Sequence, residues 1–201
     1  MIKNIIFDLS EVIISGYHNI EFVVAKHTNI KAEEFLNRKK ETINMFLEAM
    51  RGKYTEDEYL DDLMNGMDWK ISRDELKEYI RENMNVPVQG TMEIIKKLKN
   101  KYNIILLSDH IVEWVDYILK NNAELSVFDK KYFSYEYGKL KVDEGIFEYI
   151  LEDANINSEE TIFIDDSIDN IINAKKTGIT GIVFENANQL EEELRKLNIE
   201  I

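Results

Sequence analysis

The chain has 201 residues, and its 39 acidic against 25 basic side chains give a formal net charge of −14. That balance argues against nucleic acid or an anionic membrane as the main partner, because both carry the same sign of charge. The absence of cysteine excludes disulfides, thiolate catalysis and Cys-based metal sites, while a hydrophobic fraction of 44% suffices for the core of one compact domain, or of a domain with a modest insertion.

Ile2 to Phe7 reads as a short buried strand, since Ile and Phe run together without helical spacing. The stretch 16–85 then offers no convincing strand. It carries helical periodicity, with Phe35, Leu36, Ile43, Phe46, Leu47 and Met50 along one stripe. Thr55 with Glu58, and Ser72 with Glu75, fit the capping box that opens a helix. Breaks at Arg51-Gly52-Lys53 and Asn65-Gly66 separate the segments. The lone proline, Pro87, marks the return to alternating elements: helical patterns at 92–101, 111–120, 145–153, 168–176 and 189–197, and apolar strands at 103–107, 161–164 and 180–184. Near-continuous apolar strands are what a parallel sheet covered on both faces requires. The expected fold class is α/β: a doubly wound, Rossmann-like parallel sheet built from 1–15 and 86–201, with a small all-helical cap, 16–85, inserted after the first strand. Asp8 arrives too soon for the hydrophobic region of a leader, and no apolar run approaches the roughly 20 residues of a membrane span. The expectation is a cytoplasmic protein with no membrane partner.

Four short segments carry the chemistry: IIFDLSEV around Asp8, LLSDH around Ser108, KVDEGIF from Lys141, and FIDDSIDN around Asp165 and Asp166. Three of them place a reactive residue type directly after a predicted strand. Ligands of a parallel sheet gather outside the carboxyl ends of its strands, so residues distant in sequence converge there. Each alone has a plainer reading. A strand-end Asp commonly caps a turn, Ser108 could cap a helix starting at His110, and a single lysine is usually a solvated charge. Together they supply a carboxylate nucleophile, a hydroxyl, an ammonium and a carboxylate pair. That inventory suits magnesium-assisted phosphoryl transfer through an aspartyl intermediate. An acidic protein that takes a phosphate needs local cations, and Lys141 with Mg²⁺ would provide them.

In this order the segments resemble the motifs of haloacid dehalogenase-superfamily hydrolases with a helical cap after the first motif, and the resemblance extends over essentially the whole chain. It is nearest to the bacterial α-glucose-1-phosphate phosphatase-like branch, whose first motif also lacks the usual second Asp. The resemblance implies that Asp8 attacks phosphorus and that water hydrolyses the resulting aspartyl-phosphate. It implies Mg²⁺ held by Asp8, the main-chain carbonyl of Ser10 and Asp166, with Asp165 acting through a metal-bound water and Asn170 or Asp169 behind them. Ser108 would donate its hydroxyl to the phosphoryl group, helped by the main-chain N–H of Asp109, with His110 alongside. Lys141 would supply positive charge, from a segment like the family's Lys-Pro-Asp signature with Val142 in place of proline. Lys139 is its competitor.

Ser10 departs from the pattern. Most phosphatases of this superfamily carry there an Asp that protonates the leaving alkoxide, and a serine hydroxyl titrates far too high to do so. Three readings follow: a phosphatase of a small phosphomonoester, a sugar phosphate being the first class considered, that uses another donor or an easier leaving group; a catalytically weak or silent binding protein; and a metal-independent haloacid dehalogenase, which the Asp165–Asp166 pair disfavours. Glu11 and His110 are substitute acids, His110 the better placed. An inserted cap favours a small phosphorylated metabolite over a macromolecule. Tyr17, His18 and Arg51 are expected to face it. Met45, Met50, Met64, Met67 and Met84 are expected to fill the bundle, His27 to lie on a helix surface, and Trp69 and Trp114 to anchor elements to one another. The oligomeric state is left open.

Overall fold

A computed structural model describes all residues, 1–201. Five parallel strands form one sheet in the order β3-β2-β1-β4-β5: β1 Asn4–Phe7, β2 Asn103–Ser108, β3 Lys130–Phe133, β4 Thr161–Asp165 and β5 Thr180–Val183. The central β1 aligns Phe7 with Leu106 on one side and Ile164 on the other. Asp8, one residue further, therefore emerges level with Asp165.

Ile5, Phe7, Leu106 and Ile164 face one side of the sheet, where α6 (Thr91–Leu98), α7 (Val112–Asn121) and α11 (Ala187–Lys196) pack. Ile6, Ile105 and Phe163 face the other, under α9 (Ile146–Ala154) and α10 (Ile168–Lys175). Both faces are buried, which is why these strands are apolar at successive positions rather than alternately. The expected doubly wound parallel sheet is the one observed. The strand absent from the sequence reading, β3, opens on Lys130 and Lys131 and lies at the sheet edge. Lysines there deter pairing with another chain, and they also hide the strand from a hydrophobicity pattern. The short α8 (Ser134–Tyr137) follows it.

Between β1 and α6 lie α1 (Ile20–His27), α2 (Ala32–Glu41), α3 (Ile43–Met50), α4 (Glu56–Met64) and α5 (Arg73–Asn83). They share a second apolar cluster, with Phe35, Tyr59, Leu60, Leu63, Leu76 and Ile80 fully buried. Both predicted capping boxes are present, at Thr55–Glu58 and Ser72–Glu75. Gly52 and Gly66 take φ of +78° and +74°, the left-handed conformation that ends a helical segment at little cost for glycine. The predicted stripe divides, because α2 and α3 meet at Thr42. Phe35 enters the core, whereas Leu36, Ile43, Phe46 and Met50 line a cavity, and Ile43 is 43% exposed.

This helical layer packs over the carboxyl ends of the strands, its cluster taking in Ile111, Trp114 and Leu140 from the sheet-bearing part. Buried Glu56 on α4 accepts from Trp114 Nε1 on α7 at 2.9 Å and from Arg81 on α5 at 2.7 Å. The chain leaves and returns through paired segments. Ser15 N–H donates to the Val86 carbonyl at 2.8 Å and Val88 N–H to the Ile13 carbonyl at 2.9 Å. No helix is long and apolar enough to cross a membrane.

Candidate active site

Asp8 begins the loop beyond β1, and its main-chain N–H is held by the Ile164 carbonyl at 2.9 Å. Its carboxylate accepts from Leu9 N–H at 2.6 Å and pairs with Lys141 Nζ at 2.7 Å, both through Oδ1. Neither contact uses Oδ2. The loop then reverses tightly, with Glu11 at φ +60° and its carboxylate accepting from Gly16 N–H at 2.8 Å. A Cβ on Gly16 would lie 2.8 Å from Ser10 Cβ, so only glycine lets the chain pass this close. Glu11, weighed above as a proton donor, is thereby occupied in closing its own loop.

Asp165, fully buried at the end of β4, accepts from Lys141 Nζ at 2.7 Å, Ser167 N–H at 2.8 Å and Asn170 Nδ2 at 3.0 Å. Of the two residues considered behind the carboxylates, Asn170 is in contact and Asp169 is exposed on α10. Asp166 is half-buried, and its carboxylate is bonded by its own main chain and by no other residue. Lys141 is 3% exposed. Its main-chain N–H donates to the Asp109 carboxylate at 3.1 Å, and its carbonyl accepts from Asn173 Nδ2 at 2.8 Å. Burial alone would depress the Lys141 ammonium, but Asp165, Asp8 and Asp109 around it raise it above the ordinary lysine range. Burial pushes the Asp8 carboxyl up, opposed by Lys141 and reinforced by Asp165. Lys139, the competing lysine, is exposed and bonded to the Glu144 carbonyl at 2.9 Å.

Ser108 ends β2. It caps no helix, because α7 begins at Val112 with Ile111 at the capping position. Its hydroxyl is fully buried without a partner, a state that costs free energy unless a ligand satisfies it. His110 likewise precedes the helix. Its Nε2 lies 2.8 Å from Ser10 Oγ, its main-chain N–H donates to Ser134 Oγ at 3.1 Å, and Nδ1 is unpartnered. Burial, helped by the Lys141 charge, lowers His110 to about 3, so it is neutral near pH 7. Burial raises the half-buried Asp109 to about 6, against the pull of Lys141.

Two adjoining cavities share Ser10, His18 and Asp109. The smaller, about 230 Å³, is lined wholly by polar residues, including Asp8, Lys141, Asp166 and Asn170. The larger, about 440 Å³, runs beneath the helical layer past Tyr17, Phe46, Tyr59 and Trp114. Tyr17 lines the larger cavity and His18 both of them. Arg51 lines neither: it grips Asp143 through two hydrogen bonds of 3.0 and 2.8 Å, tying α3 to the Lys141 loop. Met50 and Met84 are buried in the helical cluster, with Met45 and Met64 packed against it. His27 is exposed and stacks on Tyr79.

The carboxylate oxygens of Asp8, Asp165 and Asp166 approach within 4.8 Å of one another. They are all hard oxygen donors, three acidic groups face one ammonium, and Asp166 is bonded by no other residue. This set fits a small divalent cation such as Mg²⁺.

Residues 2–178 match the hydrolase family described as haloacid dehalogenase-like. The chain belongs to that family. One relative, the D-ribitol-5-phosphate phosphatase of Bacteroides thetaiotaomicron, is 27% identical over 205 residues, spanning 96% of this chain and 97% of its own. A segment of 74 residues, 37% of this chain and 38% of the relative, is 32% identical to the sesquiterpene phosphatase astK of Aspergillus oryzae. A family enzyme from B. thetaiotaomicron, solved with magnesium and inorganic phosphate, superposes with a TM-score of 0.75 at 27% identity, covering 92% of this chain and 96% of that one.

The sequence reading passed over Ser134, which accepts from the His110 N–H and donates to the Met50 carbonyl at 2.6 Å. It also missed Asn173, whose amide holds the Lys141 and Asp143 carbonyls. Neither gives a signal in one sequence, since a helix Asn or strand-end Ser is ordinary on a polar surface.

Proposed function

We propose that the protein is a Mg²⁺-dependent phosphatase of a small phosphorylated metabolite, acting through an aspartyl-phosphate on Asp8, with residues 16–85 serving as a cap over the site. The observation that carries this is the buried constellation in which Lys141 pairs with both Asp8 and Asp165 at 2.7 Å beside an Asp166 that no other residue bonds. Known relatives support it: one is named for the phosphatase reaction, and one was solved holding magnesium and phosphate.

Asp8, the Ser10 carbonyl and Asp166, with Asp165 in the same group, would hold Mg²⁺, whose charge neutralises phosphoryl oxygens that would otherwise repel a carboxylate nucleophile. Asp8 Oδ2 attacks phosphorus; the P–O bond to the alcohol breaks and its electron pair leaves on the alcohol oxygen. Lys141 fixes Oδ1 by its ion pair and keeps the attacking oxygen directed outward. Ser108 Oγ–H donates to a phosphoryl oxygen, which completes the partner its buried hydroxyl lacks. Water then releases phosphate from Asp8.

The leaving oxygen needs a proton that Ser10 cannot give. Asp109 stands where the two cavities meet, on the path from the phosphate to the alcohol. At about 6 its carboxyl is acidic enough to donate and high enough to be partly protonated near neutrality. His110, neutral and bonded to Ser10, is the poorer donor and holds the Ser10 hydroxyl in place.

The test is phosphate release from a panel of sugar, polyol and alkyl phosphates with and without Mg²⁺, using Asp8→Asn as control. Metal-dependent turnover lost in the variant is expected. Turnover equal to that of the variant on every substrate would favour a silent binding relative instead.

A further inference from the structure

The named relatives do not choose the alcohol, but the walls of the larger cavity do. A phosphomonoester with its phosphorus at Asp8 must direct its alcohol past Asp109 into that space, because Ser10, His18 and Asp109 border both cavities. Beyond them the walls turn apolar. Tyr17, Phe46, Tyr59 and Trp114 form a cluster in which all six ring pairs approach within 5.0 to 6.5 Å.

The polar atoms of these rings are already engaged. The Tyr17 and Tyr59 hydroxyls bond each other at 2.9 Å. Trp114 Nε1 donates to Glu56 at 2.9 Å. Lys39, at the same wall, is held by the Tyr17 carbonyl and Glu21 at 3.0 and 3.1 Å. A polyol entering here would give up water hydrogen bonds at each hydroxyl, and beyond the spare proton and lone pairs of the Tyr17–Tyr59 pair the rings offer nothing to replace them. An apolar body would instead cover surface now open to water, Ile43 in the lining being 43% exposed. The volume, about 440 Å³, lies within the range of small-molecule sites.

We infer that the preferred substrate is the phosphate monoester of an alcohol with an apolar, aromatic or branched aliphatic body. The inference rests on the phosphatase reading for the position of the phosphate. Of the polar groups at the cavity mouth, Asp109 faces the reacting oxygen and Ser10 and His110 are bonded to each other, while His18 and the exposed Lys40 also line the space.

Two measurements on the full chain with Mg²⁺ separate this inference from the reading beneath it. The first is kcat/KM along straight-chain alkyl phosphates from methyl to hexyl, with benzyl phosphate and ribitol 5-phosphate. The second is calorimetric binding of methyl-, hexyl- and benzylphosphonate, which needs no turnover. Each buried methylene should add up to roughly fourfold. At half that free energy for each of its five extra methylenes, hexylphosphonate should bind about thirtyfold tighter than methylphosphonate, and hexyl or benzyl phosphate should outrun ribitol 5-phosphate. Ile43→Ser, at an exposed position that folding tolerates, should reduce the hexyl-to-methyl ratio several-fold at an unchanged melting temperature. Equal binding of the three phosphonates, or ribitol 5-phosphate as the fastest substrate, would overturn the inference. Tighter hexylphosphonate binding without hydrolysis of any ester would support the apolar pocket while removing the phosphatase reading.

Discussion

The polar pocket at the strand ends and the aromatic cavity beneath the helices meet at Asp109, yet different forces order them. In the pocket, three acidic groups sit around one buried ammonium, and hydrogen bonds fix the carboxylate deepest in it: Asp165 alone accepts from Lys141, Ser167 and Asn170. Such an arrangement is intolerant, because removing one charge strands another in a medium of low polarity. The cavity is ordered by ring packing, where volume matters and exchange of one apolar side chain for another is tolerated within limits. Chemistry therefore belongs to the rigid half and choice of substrate to the adaptable one.

Substitutions that cross this division should separate the two halves. The largest effect is expected from Lys141→Met, which leaves Asp8 and Asp165 without their shared cation. Phosphate release should fall by at least about 10³-fold, and urea unfolding should show a loss of about 3 kcal/mol. Near-wild-type turnover would mean that Lys141 holds structure alone. Asp109→Asn keeps an acceptor for the Lys141 N–H but cannot give a proton. It should slow alkyl phosphates by about 10²–10⁴-fold and p-nitrophenyl phosphate, whose leaving group needs no acid, by less than about tenfold. Equal losses on both would assign Asp109 a positioning role.

A smaller effect concerns pH. The folded His110 is lowered to about 3, below its unfolded value near 6.5. Between those values the unfolded chain binds the additional proton. The stabilisation from neutral His110 is therefore complete above about pH 6.5 and is lost as pH falls towards 3, at up to about 1.4 kcal/mol per pH unit. His110→Gln should show a shallower decline in melting temperature from pH 6.5 to 4.5 than wild type. Parallel declines would contradict a buried neutral imidazole.

The two halves also differed in how far the sequence disclosed them. Asp8, Lys141, Asp165 and Asp166 were visible because each is a charged residue next to an apolar strand or in a recognisable spacing. Parallel register then brought them together. The cavity was hidden because Phe46, Met50 and Trp114 are residue types of a core, and the break at Thr42 divides the stripe to which Phe46 and Met50 belong. Asp109 was read for its main-chain N–H, and its carboxyl gained interest only from its burial at the junction. β3 was missed for the opposite reason, its edge lysines giving it the look of a loop.

The central claim is a covalent phosphoryl group on Asp8. Protein mixed with Mg²⁺ and a turned-over phosphomonoester would be quenched in acid within milliseconds, digested and weighed by mass spectrometry. One phosphoryl group on the peptide containing Asp8, absent in Asp8→Asn and lost again as substrate is exhausted, is the predicted result. Turnover with no such adduct at any quench time, or an adduct on another residue, would contradict the account.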